Sequence, residues 1–311
     1  MTNDELLAIG KGNFEKLKLL YQDDNKVIPF LGAGSSVTPG LPDWKDLLVN
    51  MIEEFTLNKE EFQDMLDKKE FSKVASLIYS KIQEGQYKEH LSKALKPTKD
   101  DFSGIHIRLV KRFNIILTTN FDDILDKAAE EEGYEISKQI LPYFSLSDIF
   151  TKRTYVYLHG HIETGNLIFR NEDYSLFYDN DGTDYVSDLY ELMKLFIKET
   201  HLVFIGFSFN DEHFYDMYLK IKNVDLYEAR KRKEKHYSLD PASQKDHFVF
   251  VPLSDDAQRN KDLVGRYEKL KILPIFYEAD QHAEIGRYIR QLSIQKDILV
   301  KEQPGEEVLG G

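Results

Sequence analysis

The chain has 311 residues, no cysteine and a net charge of −13, with 41% apolar and 31% charged residues. This is an ordinary soluble globular balance, and the length suffices for a single α/β domain with a full core. The absence of cysteine excludes disulfides, cysteine-ligated zinc and a cysteine nucleophile, and the acidic balance argues against a broad nucleic-acid face, which needs clustered Lys and Arg.

The opening stretch MTNDELLAIG is acidic and short in apolar residues, unlike a signal peptide. No apolar run approaches the roughly 18 residues of a membrane span, so no transmembrane helix and no membrane contact are expected, and the lack of cysteine suits a cytoplasmic protein. Residues 3–22 set Leu6, Leu7, Phe14, Leu17 and Leu20 near helical spacing. Residues 27–31 form the first apolar strand. From 43 to about 97 almost everything reads as helix, with Leu47, Leu48, Met51, Ile52 and Phe55, then Phe71, Val74, Ala75, Ile78 and Tyr79. The stretch KALKPTKDDF interrupts this pattern, and Ile105–Arg112 resumes it. Further strands are predicted at Ile115–Thr118, Tyr155–Leu158, Leu202–Ile205, Phe248–Val251 and Ile272–Phe276, each followed by a helical pattern. That makes about six. The alternation predicts an α/β fold: a parallel, Rossmann-like sheet with helices on both faces and a helical insertion after the first strand–helix unit. Continuous apolar runs such as LVFIGF suit strands buried on both faces. One catalytic domain is expected over 1–295, with an N-terminal helix in 1–24, a helix-rich segment over 43–112 and a polar tail over 296–311. The basic run from Arg230 to Lys235 reads as a solvated helix end or loop.

Ligands of open parallel sheets bind beyond the carboxyl ends of the strands. The residues there are Gly32-Ala33-Gly34-Ser35-Ser36, Thr119-Asn120-Phe121-Asp122-Asp123, His159-Gly160-His161, and Gly206-Phe207-Ser208-Phe209-Asn210-Asp211. Each group is rich in glycine or short polar side chains. Gly32 and Gly34 would let the backbone and a helix N-terminus approach a pyrophosphate. The dinucleotide fingerprint of dehydrogenases needs a third glycine where Val37 stands, and an early second strand ending in an acidic residue; both are missing. No P-loop Gly-Lys-Ser/Thr is present. The alternative for the glycines alone is a tight strand–helix turn with no ligand.

The longer phrase GAGSSVTPGLPDW resembles the sirtuin pattern Gly-Ala-Gly-x-Ser followed by Gly-Leu-Pro-Asp-aromatic. TTNFDD resembles the sirtuin Thr-Gln-Asn-Ile-Asp motif, YLHG the strand carrying the sirtuin catalytic histidine, and FIGFSFND the later loop that meets the adenosine ribose. The four motifs occur in the family's order and span about residues 25–295. The resemblance implies NAD as ligand. Gly32, Ala33, Gly34 and Ser36 would lie along its phosphates and nearby ribose, Asp43 and Trp44 beside the nicotinamide ribose, and Gly206 and Ser208 at the adenosine ribose. Asp280 is a candidate near adenine. Asn120 and Asp122 match the pair at the nicotinamide end, and His159 matches the general base. The family's Asn after the fifth strand has no counterpart in VPLSDD. Tyr174 resembles a tyrosine of bacterial sirtuin-like proteins and could be a lid or a packing residue. For Asn120 the alternative is a helix cap; for His159 it is a satisfied buried histidine; Asp122 or Asp123 could stabilise the next helix N-terminus.

Deacylating sirtuins carry a four-cysteine zinc module after the His-Gly strand. Here that interval offers only a hairpin candidate at 162–170 and helix, and the Phe-Gly-Glu peptide-binding segment is missing. No metal is expected, since His159, His161 and Glu163 lack further histidines at matching spacing. NDEHF at 210–214 reads as a cap and first helical turn. The resemblance therefore implies an NAD hydrolase of the bacterial antiphage branch, acting by abortive infection. The alternatives are a non-catalytic NAD or ADP-ribose sensor, and a zinc-free deacylase or ADP-ribosyltransferase. Control is expected from homo-oligomerisation, with the N-terminal helix and 43–112 as assembly surfaces, from a region beyond the chain's end, or from a partner: a HerA-type ATPase, an Argonaute-like protein or a phage-sensing protein.

Overall fold

Seven short strands pair edge to edge, every pair parallel, in the computed structural model of the chain, which describes residues 1–22, 26–37, 40–96, 104–178, 188–231, 245–278, 281 and 283–292. The strands are β1 (Val27–Leu31), β2 (Ile115–Thr118), β3 (Ser137–Ile140), β4 (Thr154–Tyr157), β5 (His201–Ile205), β6 (His247–Pro252) and β7 (Ile272–Tyr277), in the order β3-β4-β2-β1-β5-β6-β7. Helix α1 (Asn3–Gln22) precedes β1. A bundle of α2 (Trp44–Glu54), α3 (Glu60–Asp67), α4 (Phe71–Lys81), α5 (Glu84–Ala94) and α6 (Gly104–Arg112) separates β1 from β2. Then come α7 (Ile124–Glu131), α8 (Leu146–Thr151), α9 (Asn171–Tyr178), α10 (Asp188–Glu199), α11 (Glu212–Lys231), α12 (Ala257–Leu270) and α13 (Ala283–Gln291).

Side chains alternate along each strand, so an all-apolar strand feeds two cores. Ile28, Phe30, Leu202 and Phe204 pack with Ile149, Phe196, Phe214 and Tyr267 on one face. Val27, Leu31, Val203 and Ile205 pack with Phe14, Leu109, Ala128 and Ile285 on the other. The insertion builds a third core from Leu48, Met51, Phe62, Val74, Ile78 and Leu91, which continues into Phe121 and Phe169. The helical bundle thereby sits beside the loops that follow β2 and β4.

The sheet has seven strands rather than about six. The missed strand, β3, reads SKQI and buries only Gln139. It is an edge strand with a single partner, so it needs no two-sided apolar run and shows none. The expected hairpin at 162–170 is also corrected. It is a loop closed by one antiparallel bridge between Gly160 and Leu167. Gly160 makes this return possible: its φ is +91°, and a Cβ there would stand 1.8 Å from the Asn166 carbonyl oxygen. The 230–235 run, Asp280 and the tail lie outside the residues or side chains described.

The inner side of α1, with Leu6, Phe14, Leu17 and Tyr21, is buried, and Asn13 Nδ2 donates to the Pro274 carbonyl of β7 at 2.8 Å. The helix crosses β7 at Gly10, where a Cβ would lie 2.6 Å from Phe276 N; at Gly12 it would meet nothing. Ala is preferred over Gly in a helix by roughly 1 kcal/mol. Gly12→Ala is therefore expected to raise the melting temperature by about 1–2 °C, whereas Gly10→Ala is expected to lower it despite the better propensity. Thermal melts of the two single variants, followed by circular dichroism, check the opposite signs.

Candidate active site at the strand ends

The chain leaves β1 and β5 side by side and then diverges, β1 toward the insertion and β5 into α11. Before diverging, the two loops interlock. Gly32 N–H donates to the Ile205 carbonyl and Gly34 N–H to the Gly206 carbonyl, both at 3.0 Å. A Cβ on Gly34 would be 2.9 Å from the Gly206 oxygen, and one on Gly206 would be 2.2 Å from Ser35 N. The glycines are required by this approach of backbone to backbone.

After Gly32 the chain makes one turn of 3₁₀ helix, Ala33–Ser35. The next α-helix begins only at Trp44, capped by Asp43, whose Oδ1 accepts from Asp46 N at 2.8 Å. The helix start expected at 43 is thus where α2 begins, several residues past the glycines. The amides of Gly34, Ser35 and Ser36 bond to Gly206, Gly32 and Ala33 carbonyls. The crevice is lined by Lys45, Lys69 and Lys73 together with Asp43, Glu70, Asp211 and Glu212, and Lys73 is paired with Glu70 at 3.0 Å.

The short turn aims two hydroxyls at the end of β2. Ser35 Oγ donates to the Gly32 carbonyl and Ser36 Oγ to Asp122 Oδ2, each at 2.8 Å. With both protons committed, the two Oγ atoms offer lone pairs, and Asn120 Nδ2 donates to them at 3.2 and 2.9 Å. This fixes the carboxamide orientation. Asn120 Oδ1 is left buried with no partner, at a cost of about 1–3 kcal/mol. Asn120 is not a helix cap. The cap position of α7 is Asp123, which makes no side-chain cap bond, and Asp122 Oδ1 accepts from Ile124 N, the first helical amide, at 3.2 Å. Burial pushes the Asp122 carboxyl up to about 6, against the Ser36 hydrogen bond, which pulls it down.

His159 follows β4, is 2% exposed, and has its carbonyl held by Ile168 N at 2.8 Å. Its Nε2 lies 2.5 Å from Tyr178 Oη and 3.9 Å from Asp211 Oδ2. Burial pushes the imidazole down to about 3, with His213 adding in the same direction. Burial likewise raises Asp211, whose Oδ1 accepts from Phe214 N at 3.0 Å, so NDEHF does begin a helix. Tyr174 is buried, stacks on His213 at 4.7 Å and meets the His159 ring edge-on at 5.4 Å.

A cavity of about 510 Å³ joins most of the expected residues: Ala33, Gly34, Asp43, Trp44, His159, Gly206 and Ser208 line it, with Tyr174 and Asp211. A smaller one, about 40 Å³, is lined by Ser36, Asn120 and Asp122 together with Leu41, Trp44 and Leu95. Gly32 lies behind both, in the interlock. Sequence reasoning missed Ser35, Tyr178, Asp211 and His213. Asp211 was legible as the end of the GFSFND strand-end group, but nothing marked Tyr178. A separate cavity of about 560 Å³ between α5 and the 162–170 loop holds none of these residues, and its arginine, Arg170, is paired with Asp173 at 2.7 Å. Among the described residues, Asp126, His161 and Glu163 have metal-like spacing. The Lys138 ammonium already bridges their two carboxylates, at 2.7 and 2.8 Å, so the cluster contains its own cation.

The strand order, the doubled glycine loop and the Asn–Asp and His strand ends define a class: an open α/β domain with a nucleotide-sized crevice at its topological switch point. The profile of the SIR2-like domain matches residues 114–275, more than half of the chain, and the chain belongs to that family. It is similar to the NAD(+) hydrolase ThsA of Enterococcus faecium, 27% identical over 292 residues, covering 88% of this chain and 55% of that protein. It is also similar to the NAD(+) hydrolase ThsA of Cytobacillus dafuensis, 26% identical over 207 residues, covering 63% of this chain and 38% of that protein. The chain spans about half the length of these relatives, or less. Among the described residues, no helix is long and apolar enough to cross a membrane.

The Asp122 shift has a stability consequence. The folded value, about 6, lies above the ordinary 3.8, so its contribution is full below about pH 3.8 and is lost as pH rises through 6. Asp122→Asn, which cannot ionise and can still accept from Ser36, is expected to gain on the unaltered protein by up to about 3 kcal/mol between pH 4 and pH 7. Urea unfolding of both proteins at the two pH values measures the difference.

Proposed function

We propose that the crevice binds NAD and that the site cleaves its nicotinamide–ribose bond with water, giving nicotinamide and ADP-ribose. The observation that carries this reading is the Asn120 carboxamide, locked by Ser35 and Ser36 with its acceptor oxygen buried and unpaired. A fixed acceptor without a partner, beside the crevice, suits a water or a ribose hydroxyl. Lys45 and Lys69, which line the crevice, suit the diphosphate, and Trp44, which lines it too, suits the nicotinamide ribose.

The chemistry asks little of the protein. Nicotinamide leaves neutral, taking the electron pair of the C1′–N bond from a cationic ring. Asn120 Oδ1 orients the attacking water by accepting one of its protons in a hydrogen bond. The water oxygen bonds to C1′ and its other proton passes to His159, which as a neutral imidazole accepts it and, being lowered by burial, hands it on to solvent. Asp122 holds Ser36, which holds Asn120, so it acts by positioning. The names of the relatives, NAD(+) hydrolase, support the same reaction.

By family resemblance this activity serves as the NAD-depleting effector of an antiphage, abortive-infection system, in the cytoplasm and as a homo-oligomer. Its control falls to assembly or to a partner, with a HerA-type ATPase, an Argonaute-like protein or a phage-sensing protein as the family-level choices. One observation favours a second reading. His159 has its Nε2 engaged by Tyr178, which suits an NAD or ADP-ribose sensor that leaves the ligand intact.

Mass spectrometry of NAD incubated with the protein, with the oligomeric state measured in the same sample, separates the two. Hydrolysis predicts nicotinamide and ADP-ribose, reduced at least about 100-fold in Asn120→Ala and in His159→Ala. Saturable binding with only intact NAD recovered supports the sensor. Product formation unchanged in both variants rules out the assigned roles.

A further inference from the structure

Helix α9 lies over His159 with Tyr174 and Tyr178 buried on its inner side and Leu176 exposed on its outer side. The Tyr178 hydroxyl stands 2.5 Å from His159 Nε2. A phenol is a far better proton donor than a neutral imidazole, so Tyr178 donates and the ring nitrogen accepts. The lone pair that a general base must offer to water is therefore already occupied. Burial raises the phenol well above its usual range and lowers the imidazole, so both partners are neutral at physiological pH, and the contact persists as an uncharged hydrogen bond.

The near end of α9 is tied to the helical insertion. Ser76 of α4 donates to Glu172 Oε2 at 2.7 Å and accepts from Asn171 N at 2.9 Å. Asp173 closes the first turn by accepting from Arg170 N at 2.9 Å. The helix thus connects two places. Its start is bonded to the surface of the bundle, and its end is bonded to the imidazole. The space beside Asn120, about 40 Å³ and walled by Leu41, Trp44 and Leu95 of the same region, accommodates a few waters and no pyridine ring. Both the base and the acceptor side are closed in one conformation.

We propose that α9 is an inhibitory latch: Tyr178 holds His159 out of action, and displacement of α9, transmitted from the α4 face of the insertion through Ser76, frees it. This rests on the reading of the site as an NAD hydrolase. The occupied lone pair that suggested a sensor then marks the resting state of an enzyme.

The test pairs a chemical probe of His159 with turnover, in the full chain without any activator. Diethyl pyrocarbonate acylates an imidazole only at an unprotonated, accessible nitrogen, and peptide mass spectrometry reads each histidine separately. In Tyr178→Phe, the His159 acylation rate is expected to rise about tenfold, with the other histidines as internal controls. Nicotinamide release from NAD is expected to rise by a similar factor, and to vanish in Tyr178→Phe with His159→Ala. Equal His159 reactivity in the unaltered chain and Tyr178→Phe overturns the latch. So does slower NAD turnover in Tyr178→Phe, which would make Tyr178 a support for the base. Faster acylation with NAD recovered intact keeps the latch and overturns the hydrolase reading instead. A circular dichroism melt of Tyr178→Phe, matched to the unaltered chain, excludes loss of fold as the source of reactivity.

Discussion

The site depends on one backbone contact, the hydrogen bond from Gly34 N–H to the Gly206 carbonyl, which continues the β1–β5 pairing past the ends of both strands. Neither residue can carry a side chain there, since a Cβ would fall 2.9 Å or 2.2 Å from opposing backbone atoms. Because the two loops touch, they must separate abruptly afterwards, one into the insertion and one into α11. That separation is the crevice. The glycine pattern thus serves first to bring two chains together and only second to admit a ligand. In a dehydrogenase-type loop the amides behind the glycines remain free for phosphate. Here the amides at 34, 35 and 36 are bonded within the protein, and the cations that line the crevice are side chains, Lys45 and Lys69 among them.

The same contact sets the 3₁₀ turn that carries Ser35 and Ser36, and through them Asn120. Each link has one acceptor and one donor matched. Ser35 gives its proton to a carbonyl, Ser36 to a carboxylate, and both accept from one amide group. The chain of matched groups ends on the unpaired Asn120 oxygen. Turning the amide over would not remove this cost: both hydroxyls would have to redirect their protons to the amide oxygen, leaving the Gly32 carbonyl and Asp122 Oδ2 without them, and Nδ2 would take the unpartnered place. The unpaired atom is therefore stable in its place, held by its neighbours, which is what preorganisation requires.

Most of the fold was legible from the sequence because the central strands are buried on both faces. Runs such as Leu202–Ile205 can be little else, and their spacing by helices implies a parallel sheet. β3 was not legible: an edge strand with Lys138 facing two carboxylates has no apolar signature. For the site, the strand-end groups named the residues that meet in space, including Asn120, Asp122 and His159. What they could not provide was the side chains that other elements bring against them, such as Tyr178 on His159. Tyr178 lies in NEDYSLFY, a stretch with little helical amphipathicity and no motif, and only the path of α9 brings it to His159. The 40 Å³ cavity at Asn120 is likewise set by Leu41 and Leu95, far apart in sequence.

The environment of His159 also constrains how such a site can be governed. A charge-based switch needs a group that titrates near physiological pH, and burial has moved His159 down to about 3 and both overlying tyrosines well above their usual range. Cellular pH changes are too small to alter any of the three. What remains variable is geometry, because a neutral hydrogen bond of modest net strength is lost once its partner moves about an ångström or more. The aromatic packing of Tyr174 between Trp44, His159 and His213 makes α9 share its position with the insertion on one side and α11 on the other. A shift of either neighbour therefore reaches the imidazole without any change of charge, and control of His159 becomes a matter of packing between helices.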